Sequence, residues 1–200
     1  AHAASSFRSC VLAVAHARNG EDREPCHYRQ VLVNFGHGAE RWVLVNSWTS
    51  RRAATSAALL VSFGRERGIA PQTLLAGTGL TEAALAEPGR EITDEQELTV
   101  ITNLVTALDD APGEGFVLGR RYQAVVHGIF GYALLSCATV REAIEVGTRF
   151  FDLTFAFSRA ALRYDGDEVR FCLDDRHVPA QARGFLFERD VSGMLTHWEA

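Results

Sequence analysis

Beyond residue 50 apolar residues recur every three to four positions, switch to alternation near residue 160, and return to helical spacing at the end. That pattern predicts helices, one hairpin and a closing helix. Thr55 or Ser56 is placed to cap a first helix that turns Leu59, Leu60 and Phe63 inward and stops at Gly68. Pro71 opens a short helix to Ala76, ended by Gly77-Thr78-Gly79; Thr81 caps another over Glu82 to Ala86, closed by Pro88-Gly89. Thr93 and Gln96 have the spacing of a capping box, and behind them Ile101, Leu104, Val105 and Leu108 form one buried stripe. Asp94, Glu95 and Glu97 read as carboxylates gathered at the positive end of that helix rather than as catalytic acids.

Asp109 to Gly115 breaks the long helix, and a further one is expected over Phe116 to Ala124. Arg120 and Arg121 within it diverge by about 100° and read as a solvated pair. Gly128 and Gly131 then allow either a positive φ or a close approach of two backbones. Thr139 and Glu142 form a second capping box. The helix behind it carries Ala143, Ile144, Val146, Gly147, Phe150 and Phe151, an apolar face wide enough to place it at the centre of the core.

Ala156, Ser158, Ala160, Leu162 and Tyr164 alternate with Phe157, Arg159, Ala161 and Arg163. Asp165-Gly166-Asp167 turns the chain, and Val169, Phe171 and Leu173 return on one face of a hairpin. Gln181 to Trp198 is the closing helix, with Phe185, Leu195 and Trp198 expected to leave an exposed apolar patch that promotes self-association. The fold class is therefore α+β: a helix-rich domain with an antiparallel hairpin or small sheet on one side.

The first fifty residues differ in character. They hold four of the seven histidines and two of the three tryptophans, with little helical period. Val31 to Phe35 and Arg41 to Asn46 are candidate strands of a hairpin around Gly36-His37-Gly38-Ala39. The only methionine is Met194, so the chain is expected to be processed, excised or incomplete at its beginning. The division expected is an atypical segment over 1–50, foreign to the domain or poorly ordered, and a sensor unit over 51–200.

Composition narrows the chemistry. A net charge of -5, with every one of the 20 basic residues an arginine, offers no clustered cationic face to grip a phosphate backbone. Cys10, Cys26, Cys137 and Cys172 never approach a CxxC spacing, and Cys10, His16, Cys26 and His27 fit no ligand frame, so neither metal nor cofactor is expected. No apolar run is long enough to cross a bilayer, and the default compartment is the cytoplasm. No GxSxG, GxxxxGK[ST] or HExxH occurs, so no catalytic residue is assigned; His127 and His177 are the best candidates for acid-base work if the chain is an enzyme after all.

Three blocks, in order, carry a resemblance: Arg67-Gly68-Ile69-Ala70-Pro71 through Leu80, Gly128 through Phe151, and the Asp165-Gly166 hairpin with its charged loop. Together they make residues 53 to 198 resemble the N-terminal effector domain of AraC/XylS-type bacterial transcription regulators, in the arabinose-binding-like subgroup that is not a cupin. The resemblance implies a cytoplasmic sensor that binds a small-molecule effector, forms a homodimer, and reaches promoter DNA only through a C-terminal helix-turn-helix domain, which this sequence is not expected to contain. Tyr132, Phe150, Phe157 and Arg159 are the candidate ligand-binding residues, suited to an apolar or amphipathic acid as well as to a sugar; all four can equally be core or sheet residues. A stand-alone small-molecule-binding or interaction module without DNA binding is the alternative.

Overall fold

The computed structural model describes residues 13–15, 29–34, 43–45, 51–165 and 168–199. Its largest sheet is built outward from the alternating segment: β6 (Arg159–Asp165) and β7 (Glu168–Asp174) pair antiparallel, with Asp165 opposite Glu168. Ala160, Leu162, Phe171 and Leu173 share one face and are buried, the expected consequence of a period of two.

Three strands from the first fifty residues complete this sheet. β1 (Ala13–Ala15) pairs with β2 (Arg29–Asn34), β2 with β7, and β3 (Val43–Val45) with β6, giving the order β1-β2-β7-β6-β3. The two strands expected to form their own hairpin are therefore present but do not pair with each other. They flank the central hairpin on opposite sides, because each of its strands offers an open edge whose N–H and C=O groups need partners.

The helical layer follows the local end signals closely. α2 (Pro71–Leu74) begins at its proline; α3 (Glu82–Leu85) is capped by Thr81, whose hydroxyl accepts from Ala84 N–H at 3.1 Å. α4 (Asp94–Ala107) starts with the full capping box: Thr93 Oγ1 accepts from Gln96 N–H at 3.1 Å and the Gln96 side chain accepts from Thr93 N–H at 3.0 Å. α1 (Thr55–Glu66) departs from expectation. Neither Thr55 nor Ser56 caps it, since both lie inside the helix behind Ala54 and Ser56 turns into the core. Just ahead of it, β4 (Arg52–Ala53) pairs with β5 (Glu91–Ile92).

α5 (Glu114–Gly119) is shorter than expected, and its packing explains why it carries two glycines. A Cβ on Gly115 would lie 2.3 Å from the Phe185 carbonyl oxygen, and one on Gly119 2.4 Å from that of Arg189. Those carbonyls belong to α8 (Ala180–Glu199), so only glycine lets the two helices approach this closely. The Glu188 carboxylate of α8 accepts from Gly113 and Gly115 N–H, closing the start of α5. Arg121, still partly exposed, makes a bidentate surface pair with Glu66.

The glycine segment behaves in both ways its residues allow. Gly128 has φ +57°, between a 3-10 turn at Ala124–His127 and α6 (Ile129–Leu135), while a Cβ on Gly131 would strike the Ala124 carbonyl oxygen at 1.8 Å. α7 (Val140–Arg149) follows, with Thr139 accepting from Glu142 N–H; the Glu142 carboxylate accepts from Ala138 N–H rather than from the cap residue itself.

Two apolar clusters result. One joins α1, α2, α4 and the first half of α8 around Leu60, Phe63, Leu104, Phe157 and Leu186. The other lies between the sheet and α8, around Ile144, Phe171, Phe187 and Val191. α7 is not central to either: among its described side chains only Ile144 and Thr148 are buried, and Phe150 just beyond it is exposed. Nor does α8 bare an apolar patch in the expected place. Phe185 is buried and Leu195 packs against the second cluster, while the Trp198 side chain lies outside the described residues. Among the described residues no helix is long and apolar enough to cross a membrane.

Candidate functional site

Between the two clusters is a cavity of about 130 Å³, bounded by α6, α7, β7, α8 and the segment entering β6. Its apolar wall includes Phe130, Ile144, Phe151, Phe155, Phe171 and Met194. α7 earns its wide apolar face here: Ala143, Ile144, Gly147 and Thr148 face this space rather than a packed centre. The alternation that buries Phe171 and Leu173 brings β7 to the opposite side.

The polar end is supplied mainly by one helix. Arg189, Asp190, Gly193 and His197 of α8 all line the cavity, one helical turn apart, and His127 faces them from the 3-10 turn. The His127 and His197 rings lie 5.1 Å apart, and His127 also packs against Phe155 and Phe130 at 5.4 and 6.1 Å. Burial among these rings, with the Arg189 cation nearby, lowers the His127 pKa to about 4 and keeps the ring neutral at neutral pH. His197 Nδ1 lies 2.7 Å from the Gly193 carbonyl oxygen. A carbonyl only accepts, so Nδ1 carries the hydrogen and, in the neutral ring, Nε2 presents a lone pair.

Behind this end runs a buried charge network. Glu97 is fully enclosed: Arg52 Nη1 reaches its Oε2 at 3.3 Å, Arg189 Nη1 stands 3.8 Å from Oε1, and Ser56 Oγ also bonds to it. With Glu97 ionised, the single Ser56 hydrogen goes to the carboxylate, so Tyr122 donates to Ser56 across 2.7 Å. Burial nonetheless raises the Glu97 pKa against the pull of both arginines, and the Tyr122 phenol is pushed up to about 12 for the same reason. Arg189 Nη2 donates to the Phe155 carbonyl at 2.8 Å and Nε to Asp190 Oδ1 at 2.8 Å; burial raises the Asp190 pKa.

Glu97 is the residue that sequence reasoning placed least well. It sits in the first turn of α4 as expected, yet it serves as the shared anion of two buried guanidiniums. Three cavity-lining groups remain unsatisfied: His127 Nδ1, His197 Nε2 and Asp190 Oδ2 are buried without a hydrogen-bond partner, while Arg189 Nη1, also without a hydrogen bond, is ion-paired with Glu97. Buried polar atoms are ordinarily paired, so three orphans around one cavity describe a site shaped for something polar.

The four candidate ligand residues lie elsewhere. Tyr132 and Phe150 are exposed, Phe157 is fully buried in the first cluster beneath the Arg52 guanidinium at 4.4 Å, and Arg159 stands exposed at the start of β6. None lines the cavity, and the structure does not bring the four together. Of the histidines considered for acid-base work, His127 lines the cavity and His177 does not. Cys10, His16, Cys26 and His27 lie outside the described residues, and among the described residues no group of three metal-ligating side chains gathers.

A family model described as the arabinose-binding domain of AraC transcription regulators, N-terminal, matches residues 68–199, which contain the whole cavity. HTH-type transcriptional regulators of Mycobacterium bovis and Mycobacterium tuberculosis are each 34% identical to the chain over 137 residues, 68% of this chain and 40% of theirs. The ornithine utilization regulator of Pseudomonas aeruginosa is 30% identical over 123 residues, 62% of this chain and 33% of its own length. The chain thus spans about two fifths of the length of the mycobacterial relatives it matches. No solved structure matches it.

Proposed function

We propose that this chain, which belongs to the family of N-terminal arabinose-binding domains of AraC transcription regulators, senses a small molecule in the cavity beside α8 and conveys its presence to a DNA-binding helix-turn-helix domain of the regulator. The observation that carries this reading is the set of unpartnered buried polar atoms on His127, His197 and Asp190, all at one end of an otherwise apolar cavity. Residues 51–200 form the sensing unit, promoter DNA is reached only through the helix-turn-helix domain, and the regulator works in the cytoplasm. Neither a catalytic role nor a cofactor is part of this reading, since a neutral histidine beside an arginine-bound carboxylate is adequately explained by ligand recognition.

A homodimer is the second element of the proposal. Ile129, Tyr132 and Leu135 recur at spacing three on α6 and are 85%, 60% and 47% exposed, an apolar stripe suited to a second copy of the chain.

The test is a thermal-shift screen of small amphipathic molecules against the chain and its Gly147→Leu variant. Gly147 lines the cavity, and a Cβ there meets only the Leu134 side chain at 3.5 Å, so a leucine fills the space without breaking α7. Ligands that stabilise the parent are expected to lose their effect on the variant. An equal effect on both would place the effector elsewhere.

A further inference from the structure

We infer that the cavity selects an uncharged molecule with a body about the size of one aromatic ring and a hydrogen-bond donor, a hydroxyl or an amide N–H, whose hydrogen is received by His197 Nε2, with Asp190 Oδ2 a second unpartnered acceptor in the lining. The inference rests on the effector-site reading above and adds the chemical class of the effector.

Size sets the first limit. An apolar cavity of about 150 Å³ holds a benzene molecule, and this one, at about 130 Å³, is walled by Phe130, Phe151, Phe155 and Phe171. A single ring or an equivalent branched body fills this inner space, and because the cavity opens to solvent a longer body would extend out of it.

Hydrogen-bond polarity sets the second. The Nδ1 hydrogen of His197 is committed to the Gly193 carbonyl, which leaves Nε2 as an acceptor in the neutral ring. Asp190 uses Oδ1 for Arg189, and Oδ2, an acceptor in the carboxylate, has no partner. Two acceptors about two turns apart on α8 therefore lack a donor. His127 Nδ1, equally unpartnered, can complement either a donor or an acceptor, depending on its tautomer.

Charge sets the third. The ionised groups behind the polar end are Arg52 and Arg189 against Glu97 and Asp190, two cations and two anions tied to one another in a buried network. No counter-charge is left over. A carboxylate ligand would set its lone pairs against those of Asp190 and His197. An ammonium ligand would donate correctly but would be desolvated next to Arg189, its only available anion already engaged. A neutral donor meets the orphan acceptors without disturbing this balance.

Titration calorimetry with four probes on one skeleton decides the matter: toluene, benzyl alcohol, benzoate and benzylamine at neutral pH, each against the chain and its Gly147→Leu variant. Benzyl alcohol is expected to bind at least about tenfold tighter than toluene, the scale of one buried hydrogen bond, and tighter than either charged probe. The His197→Phe variant is expected to reduce the preference for benzyl alcohol over toluene while keeping toluene binding. Toluene binding as well as benzyl alcohol, or a charged probe binding best, would overturn the inferred class and leave the cavity as an effector site. No binding by any probe, or binding unchanged by Gly147→Leu, would overturn both readings.

Discussion

Arg189 Nη1 lies 3.8 Å from Glu97 Oε1, with both side chains removed from solvent, so α8 and α4 are joined by a charge pair inside a buried network that also holds Arg52 and Asp190. Removing one member of a buried pair costs about 3–5 kcal/mol. Glu97→Ala is accordingly expected to lower the unfolding free energy by that order in urea, and Glu97→Gln by less, because the amide still accepts from Ser56. A loss below about 1 kcal/mol for the alanine variant would show that the network is not holding the two helices.

Glycines on the same helix pair give effects of opposite sign. Gly119→Ala forces a methyl against the Arg189 carbonyl oxygen, where 2.4 Å is available, and is expected to destabilise by about 1–3 kcal/mol as α5 is driven off α8. Gly184, within α8, has nothing within 4 Å of an added Cβ. Gly184→Ala should gain up to about 1 kcal/mol from helix propensity alone. Thermal denaturation of the two variants separates these outcomes; equal effects would contradict the close approach of the helices.

Acid should act partly through His127. Its folded-state pKa, about 4, lies below the ordinary histidine value of 6.5, so between those limits the unfolded chain binds more protons and folding loses stability as pH falls. Above pH 6.5 the term is flat. The raised pKa values of Glu97 and Asp190 act in the opposite sense, since burial makes those carboxyls take protons more readily in the fold. The difference between parent and His127→Phe isolates the histidine: the parent's stability relative to the variant is expected to decline by a few kcal/mol from pH 6.5 to 4. A pH-independent difference in urea unfolding would contradict a buried neutral ring.

What the sequence disclosed follows the range of each interaction. Thr81 and Thr93 cap helices through groups three residues away, Gly128 answers to its own φ and Gly131 to the Ala124 carbonyl a few residues back, so local spacing was enough to find them. Glu97 could not be found that way: its partners Arg52 and Ser56 lie 45 and 41 residues from it, and a carboxylate in a first helical turn has a sufficient local explanation. The cavity was hidden for a related reason. Its apolar wall looks like ordinary core, as α7 shows, and nothing in a linear pattern distinguishes a face that meets another side chain from one that meets a void. The spacing of Gly115 and Gly119 was a signal of close helix packing that the composition of that stretch already offered.

The stripe on α6 makes a prediction about assembly. Ile129 is 85% exposed, so Ile129→Glu should leave the unfolding free energy of the isolated chain within about 0.5 kcal/mol. If a second copy covers this face, the same change shifts sedimentation equilibrium from dimer toward monomer. A dimer unaffected by the substitution would have its interface elsewhere.

The placement of β2 against β7 and β3 against β6 bears on how this protein can be cut. A fragment starting at residue 51 would retain the central hairpin packed on α8 but with both of its margins stripped. Its bare N–H and C=O groups would recruit strands from other molecules. Trimming the chain at residue 51 would thus be expected to make it prone to edge-to-edge aggregation.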